Sequence, residues 1–71
     1  MRLIPVRSSN VAAVGFDENS STLEVAFKSG STYRYFGVPA QHFHVLTGGS
    51  VSVGHYLNTE IKSRFRYERI A

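Results

Sequence analysis

Hydrophobic and polar positions alternate with a two-residue period through the first half of the chain and take up helical spacing in the second. Asn10 to Asp17 reads as a strand, with Ala12, Val14 and Phe16 on one face and Val11, Ala13 and Gly15 on the other. The polar cluster Asp17-Glu18-Asn19-Ser20-Ser21 is a turn, because Asp, Asn and Ser side chains bond the nearby backbone. Thr22 to Phe27 is the clearest strand, with Leu23, Val25 and Phe27 opposite Thr22, Glu24 and Ala26. Lys28-Ser29-Gly30-Ser31 predicts a tight turn with Gly30 at positive φ. Thr32 to Phe36 then places Tyr33 and Tyr35 on one face, and Thr32, Arg34 and Phe36 on the other.

Pro39 is suited to a first helical turn, where its missing N–H leaves nothing unpaired. Ala40 to Thr47 is predicted as a short helix presenting Phe43 and Leu46 and stopped by Gly48-Gly49. A second helix starts after Ser50 or Ser52 as N-cap, with Val53, Tyr56, Leu57 and Ile61 forming an apolar stripe. Gly54 within it is costly relative to Ala, which suggests close approach to the sheet. The pattern therefore predicts a small α+β domain over residues 1–71. It consists of a three-stranded antiparallel meander with two short helices on one face. Ser63 to Ile70 either adds an edge strand or lies extended across the surface.

Composition narrows the function classes. A chain of 71 residues has room for one core. At 42% apolar and 18% charged it is globular rather than disordered. With no Cys, disulfides and thiolate metal sites are excluded. No apolar run is long enough to span a bilayer and Met1 to Pro5 leads straight into Arg7-Ser8-Ser9 without a signal peptide, so the expected location is cytoplasmic. There is no Gly-x-Ser-x-Gly elbow, no Walker lysine and no carboxylate pair suited to acid–base work. His42 and His44 lie two apart on a helix and His55 is isolated, which is poor metal-ligand spacing. The expectation is a non-enzyme without metal or cofactor.

Charge changes that picture in one respect. The net charge is +3, and two of those three charges fall within residues 51–71. Four of the eight basic residues, Lys62, Arg64, Arg66 and Arg69, are interleaved with Phe65 and Tyr67. In an extended tail Lys62, Arg64 and Arg66 point one way and the aromatics the other, giving a phosphate-binding stripe or simply a solubilising one. Tyr33-Arg34-Tyr35 offers a second nucleic-acid candidate, a sheet platform for stacked bases. Register with Leu23, Val25 and Phe27 favours core packing for the two tyrosines, which leaves Arg34 and Phe36 on the outer face.

These residues resemble the KTSC domain family. The resemblance runs from about Ile4 to Ile70. It is carried by Ser8-Ser9-Asn10-Val11, Val14-Gly15-Phe16-Asp17, Thr22 to Phe27, Tyr33 to Pro39, and Ser52 to Asn58 with Ile61. The family is named for the C-terminal domain of some lysyl-tRNA synthetases and also occurs as stand-alone small proteins in bacteria and phages. The resemblance implies RNA binding as a suggested role. It carries over Tyr33 and Tyr35 as a motif, and Ser52, Gly54 and Asn58 as a second-helix signature without an assigned role. Phe16 stands where the family frequently has Tyr.

Three functions are compatible with this reading. The first is an RNA-binding module using Tyr33, Arg34, Tyr35, Lys62, Arg64, Arg66 and Arg69. The second is a protein-interaction or self-assembly module that buries Phe36, Val38 or Phe65. The third is a binder of small phosphorylated ligands such as nucleotides, near Gly48-Gly49-Ser50 with Asn58.

Overall fold

A computed structural model describes residues 1–71. Five strands form one antiparallel sheet in chain order: β1 (Leu3–Pro5), β2 (Val11–Asp17), β3 (Thr22–Phe27), β4 (Thr32–Tyr35) and β5 (Tyr67–Arg69). Between β4 and β5 the chain forms α1 (Ala40–Thr47) and α2 (Val53–Tyr56), and α2 runs on into a π-helical turn, Leu57–Ile61. The α+β class and the β2–β3–β4 meander follow the alternation in the sequence. Of the two readings of Ser63–Ile70, the edge strand is the one observed, as β5.

β1, the second edge strand, was not predicted. Three residues are too few to show alternation, and Pro5 reads against a strand even though an edge tolerates proline. The faces of β2 also differ from expectation. Val11 pairs with Phe27 but Ala13 pairs with Ala26, so a β-bulge inserts one residue. That insertion turns Val11 onto the face carrying Val14 and Phe16, and both valines are fully buried.

Helix ends and turns largely obey the local rules. Ser52 Oγ accepts the His55 N–H at the start of α2, which identifies Ser52 as the N-cap. Gly48 ends α1 and Gly49 follows with φ of 82°. Gly30 turns the β3–β4 hairpin at φ of 101°. Pro39 sits one place earlier than expected, at the N-cap of α1, with extended ψ of 142°.

The core lies between the sheet and the helical segments. It contains Val11, Val14, Leu23, Val25 and Tyr35 from the strands, Val38 from the segment after β4, and Leu46, Val53, Leu57 and Ile61 from the helical segments. Phe16 stacks on Phe43 at 5.8 Å, joining β2 to α1. The His42 ring and the Tyr56 hydroxyl share a 2.7 Å hydrogen bond that joins α1 to α2.

Gly54 does not have the role its position suggested. A Cβ built there meets nothing within 4 Å, so no close approach to the sheet requires glycine. Gly54→Ala is accordingly expected to stabilise the domain by about 0.4–1 kcal/mol through helix propensity and reduced unfolded-chain entropy. A rise in the urea midpoint at unchanged slope is the expected readout. A fall in the midpoint would mean that the site is sterically restricted after all.

Candidate nucleic-acid interface

Strand alternation and register set the candidate site. Val25 pairs with Tyr33, Leu23 with Tyr35, and Tyr35 with Tyr67, so all three tyrosines stand on the helix-bearing face. Tyr35 is buried in the core at 2% exposure, Tyr33 is half-buried, and Tyr67 at the sheet edge is 60% exposed. The helical segments therefore seal the core without covering this corner of the sheet.

The rings make a continuous cluster. Tyr33 and Tyr35 stack at 6.5 Å, and Tyr67 leans on them at 5.9 and 5.8 Å respectively. Phe27 meets Tyr33 edge-on at 5.8 Å. Together with Ser29, Ser31 and Lys62 they line an open cleft of ≈ 370 Å³. Three phenols share this small space, and the Tyr35 hydroxyl is held above its ordinary pKa of 10.0, first by burial and then by Tyr33 and Tyr67. The floor of the cleft is therefore aromatic, and burial favours the protonated Tyr35 phenol at its base.

Lys62 supplies the charge. The π turn closes with the Lys62 N–H bonded to the Leu57 carbonyl, delivers Leu57 and Ile61 to the core, and sends Lys62 over the ring of Phe27. Its Nζ lies 5.5 Å from that ring's centroid, within cation–π range. Lys62 has no carboxylate partner, because the two ion pairs of the molecule are Arg34–Glu24 and Arg64–Glu60. Arg69 pairs with Tyr33 in the ladder, so it shares the tyrosines' face, and its Nε donates to the Ala71 carbonyl.

The basic residues singled out from the sequence do not form one surface. Arg34 stands on the opposite face of the sheet, where its Nε donates to Glu24 Oε1 at 2.9 Å. Glu68 flanks it in register on the other side. Arg66 precedes β5 and is exposed, and it does not line the cleft. Arg64 lies 3.8 Å from Glu60 in an exposed i,i+4 pair of little energetic weight. The expected stripe of Lys62, Arg64 and Arg66 is absent because residues 62–64 form a turn and only 67–69 are strand. Tyr33, Tyr35, Lys62 and Arg69 thus share the cleft side, while Arg34 stands on the far face and Arg66 lies outside β5.

Phe27, Tyr67 and the serines are cleft residues that the sequence reading missed. Alternation did place Tyr67 against the domain, but only as an anchor. The signature residues of the second helix have local roles or none: Ser52 caps α2, whereas Gly54 and Asn58 touch nothing in the cleft. Gly48-Gly49-Ser50 forms the stop of α1. Val38, offered as apolar surface for assembly, is fully buried, and Phe65 packs on the core beside His42 at 5.8 Å. No cluster of three or more His, Cys, Asp or Glu side chains is placed to hold a metal ion. No helix is long and apolar enough to cross a membrane.

Five antiparallel strands in chain order, with two helical segments on one face, define a small α+β meander domain. The chain belongs to the KTSC domain family, whose model matches residues 7–65. The fold is similar to the crystal structure of a KTSC domain protein from Yersinia pestis, with a TM-score of 0.88 and 32% identity over 99% of this chain and 97% of that one. An uncharacterized protein of Stutzerimonas stutzeri is 35% identical over 71 residues, 99% of either chain. A lysine–tRNA ligase of Nostoc punctiforme is 30% identical over 69 residues, which are 97% of this chain but 12% of the ligase. The family match ends before β5, whereas the structural likeness extends across it.

Proposed function

We propose that this domain is a non-catalytic module that binds single-stranded RNA in the tyrosine cleft. The observation that carries this reading is the pair of accessible rings, Tyr33 and Tyr67, backed by the buried Tyr35 and set beside Lys62, a cation with no carboxylate partner. Aromatic faces stack on any unpaired base, and a neighbouring cation neutralises the phosphate that follows it. Duplex RNA presents base edges in its grooves and hides the base faces, so the cleft favours a single strand. The lysine–tRNA ligase relatives support the same reading, since a stretch like this chain occurs in proteins named for their tRNA substrate.

Of the residues singled out from the sequence, Tyr33, Lys62 and Arg69 are retained as contacts in this reading, Tyr35 is the buried support beneath them, and Tyr67 is added. Arg34 is set aside because it is tied to Glu24 on the far face. The test is fluorescence anisotropy with a labelled single-stranded oligoribonucleotide at low salt. Binding is expected, and Tyr67→Ala is expected to weaken it by about 1–3 kcal/mol, or roughly 5- to 150-fold, with little change in stability because that ring is mostly exposed. Absence of binding at low salt by the unmodified domain would refute the proposal.

A further inference from the structure

The aromatic cleft does not end at Lys62. A second depression, lined by Ser9, Asn10, Lys28, Ser29, Phe27 and Lys62, adjoins it and shares its last three residues. The lining changes character at that boundary. Four of the seven residues in the first cleft are aromatic, whereas Phe27 is the single apolar residue in the second. Neither depression is lined by an Asp or Glu, and Lys28, like Lys62, has no carboxylate partner.

The polar end is also held in shape. Ser8 Oγ accepts the N–H groups of Asn10 and Val11, both at 3.2 Å, and the Lys28 N–H donates to the Asn10 carbonyl at 2.8 Å. The loop before β2 is thereby fastened to the end of β3, which fixes Ser9 and Asn10 beside the two lysines. On the other wall, the π turn fixes the backbone of Lys62.

We propose that this second depression is a phosphate subsite, built from Lys28 and Lys62 with Ser9, Asn10 and Ser29 as hydrogen-bonding neighbours. The groove then reads one nucleotide of a single strand as a unit. Its base lies against Tyr33 and Tyr67, over the buried Tyr35, and its phosphate lies between the lysines. The aromatic part, at ≈ 370 Å³, falls in the size range of small-ligand sites and so has room for a base. Two ammonium groups facing one depression without a counter-charge favour an anion, and the serine hydroxyls and the asparagine amide can donate to phosphate oxygens.

This assignment rests on the RNA-binding reading, and one experiment separates the two. Binding of a single-stranded oligoribonucleotide is measured across a range of salt for the unmodified domain, Lys28→Gln and Tyr67→Ala. Lys28 is exposed on a turn, so its substitution leaves the fold intact. Lys28→Gln is expected to weaken binding severalfold and to make the log–log salt slope shallower by about 0.7, the value for one lost phosphate contact on a single strand. Tyr67→Ala is expected to weaken binding at an unchanged slope. An unchanged slope in Lys28→Gln, with RNA still bound, would overturn the phosphate subsite and leave the RNA reading standing. No binding by the unmodified domain would overturn both.

Discussion

Tyr35→Ala is expected to cost about 3–5 kcal/mol, the penalty for deleting a buried aromatic ring. A domain of this length has roughly 4–10 kcal/mol in total, so the variant should be close to unfolding at room temperature. The ring is 2% exposed, belongs to the core with Leu23 and Leu57, and is also the floor of the tyrosine cleft. Urea denaturation should show a large fall in midpoint, and the cleft should be lost with the fold. Tyr35→Phe keeps the ring and separates packing from the hydroxyl. The folded state holds the Tyr35 proton more tightly than the unfolded chain, because burial disfavours tyrosinate and Tyr33 and Tyr67 lie close by. The resulting stability is complete below the ordinary pKa of 10.0 and is lost as pH rises through the higher pKa of the folded state. Tyr35→Phe should remove that part of the alkaline decline. An equally steep decline in the variant would assign it to other groups.

Gly15→Val is expected to free β1 from the sheet at the upper end of about 1–3 kcal/mol, as overpacking does where the backbone cannot yield. A Cβ at Gly15 would lie 2.8 Å from the Arg2 carbonyl oxygen and 2.8 Å from Leu3 Cδ2. The carbonyl belongs to the backbone leading into β1, whose residue Leu3 pairs with Gly15, so relief requires the strand to move. Hydrogen exchange should accelerate at Ile4 and Val6 while β3 and β4 stay protected. The tyrosine cleft should stay intact, because β1 and β5 are opposite edges of the sheet. Unchanged stability and exchange in β1 would show that this contact does not hold the edge strand.

The sequence pattern was informative where one physical rule acted alone. Alternation identified β2, β3 and β4, and cross-strand register put Tyr33 and Tyr35 on the core side with Leu23 and Val25. It failed where two rules competed. Ala12-Ala13 carries no mark of the bulge that turns Val11 inward, since both alanines suit either face. Leu3-Ile4-Pro5 is a strand only because β2 offers it a partner. The π turn is invisible in Leu57-Asn58-Thr59-Glu60-Ile61, which has the apolar spacing of an ordinary helix, yet that turn places Lys62 at the cleft.

For the candidate site, core and surface proved to be a false choice. Tyr35 is core and Tyr67 is surface, and the half-buried Tyr33 joins them in one cluster. Register revealed which way the rings point, but where the helical cover stops is decided by packing across the whole domain. Local pattern equally could not show that Arg34 has Glu24 as its partner, because ten residues and a hairpin separate them.

The central claim is that the tyrosine cleft beside Lys62 is the ligand-binding surface. Chemical-shift mapping with a short single-stranded oligoribonucleotide tests it most directly. Perturbations are expected to concentrate at Tyr33, Tyr35, Tyr67 and Lys62 and to extend to Lys28, with the far face around Arg34 and Glu68 silent. Perturbations centred on Arg34 and Glu68 or on Gly48-Gly49-Ser50, or none at all, would contradict it.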